Sequence, residues 1–222
     1  MSAESVAVPA PPEPSDSDII ADVLAGDRRQ FAVLVRRHNQ PVFRACRAVL
    51  RDDQEAEDAV QTAWLNAYRA LATFRRDASF RTWMTRIAVN EASTRLRDRR
   101  RHAALVEDGP PVNAGPSPDH QAIASELSRV LERELDALPE GLRAVLVLRD
   151  VIELDTAETA GCLGIQDENV RVRLHRARTT LAHRMHASMQ ELLDASLPDV
   201  WRFDGDRCAR TLDGVLAAIE RM

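Results

Sequence analysis

The sequence predicts an all-α protein: two small helical domains joined by a polar, flexible linker, with a short helical extension at the C-terminus. Three observations carry this expectation. Apolar residues recur at three- and four-residue steps, as in Phe31, Leu34 and Val35, then Val42, Phe43, Cys46 and Val49, then Val60, Trp64 and Tyr68. Strand-like alternation of any length is missing. Hydrophobic residues make up 45 % of the chain but aromatics only 4 %, which suits helices packed with Leu, Val and Ala better than a β-sandwich.

Residues 1–18, containing "VPAPPEPSDSD", are rich in Pro, Ser and acid and are expected to form a disordered tail. Residues 19–103 carry the first helical domain, in which Pro41 should start or kink a helix. Residues 104–122, with "EDGPPVNAGPSP", read as a linker by composition. Residues 123–186 carry the second helical domain. Residues 187–222 form the extension, with a turn-rich stretch around Trp201 and Phe203 and a helix from Cys208 to Met222 (Leu212, Val215, Leu216, Ile219).

Several function classes are disfavoured. No apolar run approaches the ~18 residues of a membrane span, and the N-terminus lacks the basic start and apolar stretch of a secretion signal. Cys46, Cys162 and Cys208 are odd in number and far apart, so a reduced cytoplasmic protein is expected. His183 and His186 are three apart but have no third ligand, and Cys208 has none at suitable spacing, so no metal is expected. A Gly-rich phosphate loop and a nucleophile motif are both missing, which argues against an enzyme and against a cofactor.

Within the second domain, "DTAETAGCLGIQDENVRVRLHRARTTL" (Asp155 to Leu181) has the spacing of a helix-turn-helix. Asp155 and Glu158 form a capping box. Ala160 is small where two helices cross, Gly164 allows the positive φ of a tight turn, and Val170 anchors the next helix. Val170, Leu174, Ala177 and Leu181 face the core, while Arg171, Arg173, Arg176 and Arg178 face outward, where a major groove would lie.

The first domain has two charged stretches of opposite sign. "RDDQEAEDAVQTAW" concentrates Asp52, Asp53, Glu55, Glu57 and Asp58 at a helix start. Such a run matches the helix dipole as a solvated face, or it docks a basic partner. From Arg75 to Ala103, nine arginines face three acids, a net +6 within a chain of net −5. All 30 of the chain's Lys-plus-Arg residues are Arg, which suits phosphate and base-edge contacts. Trp83, Ile87 and Leu96 can pack inward, with Arg86, Asn90, Arg97 and Arg101 near one stripe. Arginines beside Phe80 and Trp83 form a combination that holds single-stranded nucleic acid, unless the aromatics are core.

Together these stretches resemble the extracytoplasmic-function sigma factors, small members of the sigma-70 family. "EAEDAVQTAWLNAYRAL" is similar to the region that binds the clamp helices of the RNA polymerase β′ subunit. "FRRDASFRTWMTRIAVNEASTRLRDRRR" is similar to the regions that melt and read the −10 element. "LPEGLRAVLVLRDVIELDTAETAGCLGIQDENVRVRLHRARTTL" is similar to the region that reads the −35 element. The resemblance implies core RNA polymerase (β and β′) and promoter DNA as partners, an anti-sigma factor as an expected regulator, no membrane insertion and no catalytic residue.

Residue by residue, the resemblance places Glu57, Asp58 and Gln61 against polymerase. It places Phe80, Trp83, Arg86, Asn90, Arg95, Arg97 and Arg100 at −10 DNA, with Arg99 and Arg101 on the promoter backbone. It places Asn169, Arg171, Arg173, His175 and Arg176 at −35 DNA. Capturing flipped bases costs a few kcal/mol, offset by pocket contacts and polymerase binding. The acidic whole chain weakens binding to random DNA until polymerase is present. Two positions depart from the family pattern. Thr94 stands where Asp is common, and Gln166 stands where a Ser-like cap is usual, so that Asp167 is expected to cap one residue later. A stand-alone helix-turn-helix regulator is the alternative, but it would need neither the acidic run nor the Arg-aromatic stretch. The extension is expected either to pack as a plain helix or to act as a regulatory tail docking through Trp201 and Phe203.

Overall fold

The computed structural model describes residues 14–105, 126–185 and 205–221. Helix α1 (Asp16–Leu24) starts on a capping box: Ser15 Oγ accepts from the Asp18 amide, and the Asp18 carboxylate accepts from the Ser15 amide. Ile19, Ile20 and Val23 are buried, and Asp16 accepts from Arg37 at 2.6 Å. The chain is therefore ordered from Ser15 inside the stretch expected to be a disordered tail. Local capping and three buried aliphatics offset the loss of chain entropy there. Residues 1–13 lie outside the described part.

Helix α2 (Phe31–Leu50) runs through Pro41, so Pro41 does not start a helix. The missing amide and the clash with the preceding turn are offset by burial of Val35, Val42 and Phe43 on either side. Arg51 ends α2 in the left-handed region at φ 63°, and Asp52 at once caps α3 (Asp53–Ala70) by accepting from the Glu55 amide at 2.7 Å. Helix α4 (Phe80–Leu105) completes the first module. The three helices share one core. Inside it, fully buried Trp64 donates to Asn39 Oδ1 at 2.9 Å, which satisfies both polar groups.

The second module contains α5 (Glu126–Asp136), α6 (Glu140–Leu146), α7 (Thr156–Leu163) and α8 (Asp167–Arg184). A π turn over Val147–Val151 follows α6. Helix α9 (Gly205–Glu220) begins three residues ahead of the expected Cys208 and lies on α2 and α3. Trp201, Phe203 and His186 fall outside the described residues, as does 106–125, which holds most of the expected linker.

The two modules are packed together rather than held apart. Arg143 of α6 is 1 % exposed and inserts between them. Its guanidinium donates to the last carbonyls of α2, Ala48 at 2.5 Å and Val49 at 3.3 Å, and to Leu138 O at 2.9 Å. These carbonyls carry the negative end of the α2 dipole. Burial pushes the Arg143 pKa down to about 10, so it remains a cation at neutral pH. Beside it, Arg47 grips Asp136 with two bonds of 2.7 and 2.6 Å and Asp53 with a third of 2.6 Å. On the other side, Thr82 of α4 donates to Glu158 of α7 at 2.5 Å. Cys46 and Cys162 are buried, and burial raises both thiols, Cys162 to about 12, so neither is a thiolate at neutral pH.

Three outcomes are expected. Arg143→Leu leaves buried carbonyls without a donor; it should cost about 3–5 kcal/mol in denaturant unfolding and enlarge the radius of gyration in solution scattering. Arg51→Gly should stabilise by about 0.5–1 kcal/mol, because glycine adopts the left-handed conformation without the Cβ penalty. His38 is buried against Asp16, Arg37 and Arg81. Its pKa lies below the usual 6.5 because burial outweighs the pull of Asp16. The unfolded chain takes up the proton first, so stability should fall as pH drops below about 6.5. Hydrogen exchange should show α1 loosening, and His38→Gln should flatten the response.

Candidate nucleic-acid interface

Helices α7 and α8 form the helix-turn-helix. Asp155 and Glu158 make the expected capping box, with both bonds at 2.8 Å, and Gly164 takes the turn at φ 63°. Ala160, Val145 and Val170 pack together at the crossing. Gln166 occupies the N-cap of α8 with no side-chain bond, and Asp167 is already the first helical residue. Asp167 is therefore not the cap; it and Glu168 contribute only favourable charge to the first turn.

On α8 the inner face is Val170, Ala177 and Leu181, all buried. Asn169, Arg171, His175 and Arg176 are exposed on the outer side. Arg173 is half-buried, its guanidinium lying against Gly141 of α6. Arg178 turns away from the outer cluster and makes a bidentate pair with Asp150 at 2.9 and 2.6 Å. Arg171 bonds Glu168 one turn back at 3.3 Å, a loose contact that a phosphate can replace.

Along α4 the expected residues divide. Arg86, Asn90 and Arg97 are exposed. Trp83 is half-buried against Phe74 and Phe80, with centroids 5.2 and 5.6 Å away. Phe80 is only 3 % exposed, in an aromatic cluster with Phe74, Trp83, Trp64 and His38. It is core, and the expectation that it meets a base is corrected: a ring in this cluster has no free face. Arg95 is half-buried and serves α3, donating to Thr62 Oγ1 at 2.8 Å and Asp58 O at 3.1 Å, with Glu91 at 2.8 Å. Arg99 pairs with Glu55 at 2.7 Å and Arg100 with Glu140 of the second module at 2.6 Å. Thr94, at the position that departs from the family pattern, donates to the Asn90 carbonyl at 2.9 Å and accepts from Arg97 at 3.1 Å.

On α3, Asp58 is exposed while Glu57 and Gln61 are half-buried, one turn apart. Sequence reasoning missed Asp136, Arg143 and Arg207. Each acts through a partner more than 80 residues away, and no local pattern signals such a pairing.

Comparison with known proteins accounts for this architecture. Residues 34–102 match the model of Sigma-70 region 2, and residues 128–181 match that of Sigma-70, region 4. The ECF RNA polymerase sigma factor SigM of Mycobacterium tuberculosis is 38 % identical over 171 residues, covering 77 % of this chain and 84 % of the relative. The ECF RNA polymerase sigma-E factor of Escherichia coli is 30 % identical, over 77 % and 94 %. Among solved structures, CnrH in complex with the cytosolic domain of CnrY is similar at a TM-score of 0.51 and 28 % identity, over 80 % of this chain and 96 % of that one. RpoE of Bartonella quintana, solved with the anti-sigma factor NepR, shares the fold at a TM-score of 0.61 and 22 % identity, over 71 % and 96 %.

The chain belongs to the sigma-70 family of RNA polymerase sigma factors. Within that family it is of the extracytoplasmic-function type, a polymerase-binding protein that directs the enzyme to promoters. Sigma factors are non-enzymatic initiation factors. Among the described residues, no helix is long and apolar enough to cross a membrane.

The two roles of the α8 arginines can be separated. Arg178→Ala should lower the melting temperature by about 2–4 °C through loss of the Asp150 pair, since a partly exposed bidentate bridge is worth about 1 kcal/mol. The same change should alter DNA affinity less than Arg176→Ala, measured side by side on a duplex promoter fragment.

Proposed function

We propose that α3 docks the chain on core polymerase through Glu57, Asp58 and Gln61, that α4 addresses −10 DNA, and that α8 addresses the −35 duplex. The observation that carries the reading is the two-sided build of α8. Val170, Ala177 and Leu181 fix its inner face in the module, while Asn169, Arg171, His175 and Arg176 stand clear on the other. A helix held from behind by a tight turn presents such residues to base edges and phosphates in the major groove. Arg173, half-buried beside α6, sits at the edge of that surface and contacts the DNA backbone.

On α4, Asn90 supplies an amide edge for an unstacked base and Trp83 a partly open ring for stacking. Arg86 and Arg97 supply charge for the phosphates. Arg95 supports this surface by fastening α4 to α3. Arg100 joins the DNA-facing set once its bond to Glu140 breaks, that is, when the modules separate. Polymerase binding supplies the free energy for separation, which links promoter recognition to the holoenzyme. The protein acts in the cytoplasm and catalyses no step of its own. A protein anti-sigma partner belongs to the same reading, since CnrH and the Bartonella quintana RpoE are each in complex with a partner protein.

Transcription from a cognate promoter by core polymerase plus this chain tests the assignment. Arg171→Ala or Arg176→Ala should reduce output about 5- to 100-fold where a −35 element is required, the range expected for one lost base contact. Asn90→Ala should impair open-complex formation on linear duplex and be relieved by a pre-melted −10 bubble. Unchanged transcription from all three variants would overturn the site assignment.

A further inference from the structure

Helix α9 lies outside both matched family segments, which end at residues 102 and 181. Helices α2, α3 and α4 of the first module pack directly on one another. Yet α9 is seated on α2 and α3 by a specific set of contacts. Its apolar stripe, Leu212, Val215 and Ile219, is buried. Arg207, 9 % exposed in its side chain, donates to Glu57 Oε1 at 2.5 Å and stands 3.7 Å from Asp53 Oδ2. The same guanidinium stacks 4.7 Å over the Phe43 ring. Cys208 Sγ accepts from Asn39 Nδ2 at 3.3 Å. At Gly214 the α9 backbone comes so close that a Cβ would overlap Gln61 Nε2.

Two of the three residues read as polymerase-facing, Glu57 and Gln61, are therefore covered by α9, and Asp58 alone is exposed. Arg207 satisfies an acid that a basic partner would otherwise take. We propose that α9 is an intramolecular competitor for the polymerase-docking face of α3, so that α9 and core polymerase occupy Glu57 and Gln61 mutually exclusively. This rests on the assignment of α3 as the docking element. Apparent affinity for polymerase falls to its intrinsic value multiplied by the fraction of molecules in which α9 is lifted. Anything that lifts α9 raises affinity without touching the docking residues.

The test uses the full chain and purified core polymerase, with affinity read by titration at fixed salt. Arg207→Glu places a carboxylate beside Glu57 and Asp53 and should raise affinity about 10-fold or more. Unchanged or lower affinity, in a protein that keeps its helical circular dichroism, would overturn the proposal. In a Cys208→Ser background, Gln61→Cys with Gly214→Cys allows a disulfide to lock α9 in place. The oxidised form should bind core polymerase at least about 10-fold more weakly than the same protein reduced. Equal binding by the two forms would overturn the proposal even if the charge reversal fails to fold. Asp58→Arg separates the two readings. If it leaves core affinity unchanged, the docking assignment falls and the competition falls with it. If it abolishes binding while Arg207→Glu has no effect, docking stands and the competition alone is wrong.

Discussion

One buried guanidinium organises the relation between the halves of this protein. Arg143 fills the end of α2 as a cationic plug on carbonyls that have no helical partner of their own. Asp136 and Arg47 extend the plug into a network that reaches Asp53, at the start of α3. The end of α2, the first turn of α3 and the entry to the second module are thus set by a single set of charges. A buried cation with its bonds intact is tolerated at modest cost, whereas the same cation with one partner gone is not. The junction is therefore either closed with good geometry or open to water, and intermediate arrangements are penalised.

The surfaces that face outward in this closed form follow from that. Helix α7 lies along the first half of α4 through Thr82 and Glu158, and Glu140 holds Arg100. Arginines that a sequence presents as one positive cluster are in part already neutralised: Arg95 by Glu91, Arg99 by Glu55, Arg100 by Glu140. Arg86 and Arg97, with Asn90, stay on the outside of the same helix. A strongly basic segment in an acidic protein does not remain a bare field; internal acids claim some of it and a partner has to exchange for them. Promoter DNA and polymerase thus meet a molecule whose charges already have internal alternatives.

Much of the fold was legible in the residues. The helical period, the capping box at Asp155 and Glu158, and the turn at Gly164 are local features, and local features leave a pattern. Part of the outer face of α8, Arg171 and Arg176, could be read for the same reason, whereas the partial burial of Arg173 beside α6 and the pairing of Arg178 with Asp150 depend on other helices. Phe80 could not be separated from Trp83 by spacing alone, because both stand near the start of α4 and only the packing of Trp64 and His38 decides which ring is enclosed. The start of helix α1, at Asp16, fell inside the expected tail because a Pro- and Ser-rich run masks a sound cap at Ser15. The docking of the modules left no trace, since Arg143 bonds to backbone carbonyls and a carbonyl has no identity in a sequence. Arg207 and Glu57 are 150 positions apart, and their pairing is a property of tertiary structure alone.

Covalent continuity gives α9 a further property. The stretch 186–204 tethers it to α8, so its encounter with α3 is a first-order event whose local concentration is set by chain length. A diffusible inhibitor can be outnumbered when a cell makes more of its target; a helix on the same polypeptide is always present at one copy per molecule. Overproduction would then scale the response linearly, without a threshold, and the ratio of silent to competent molecules would be written into the gene rather than into the balance between two genes.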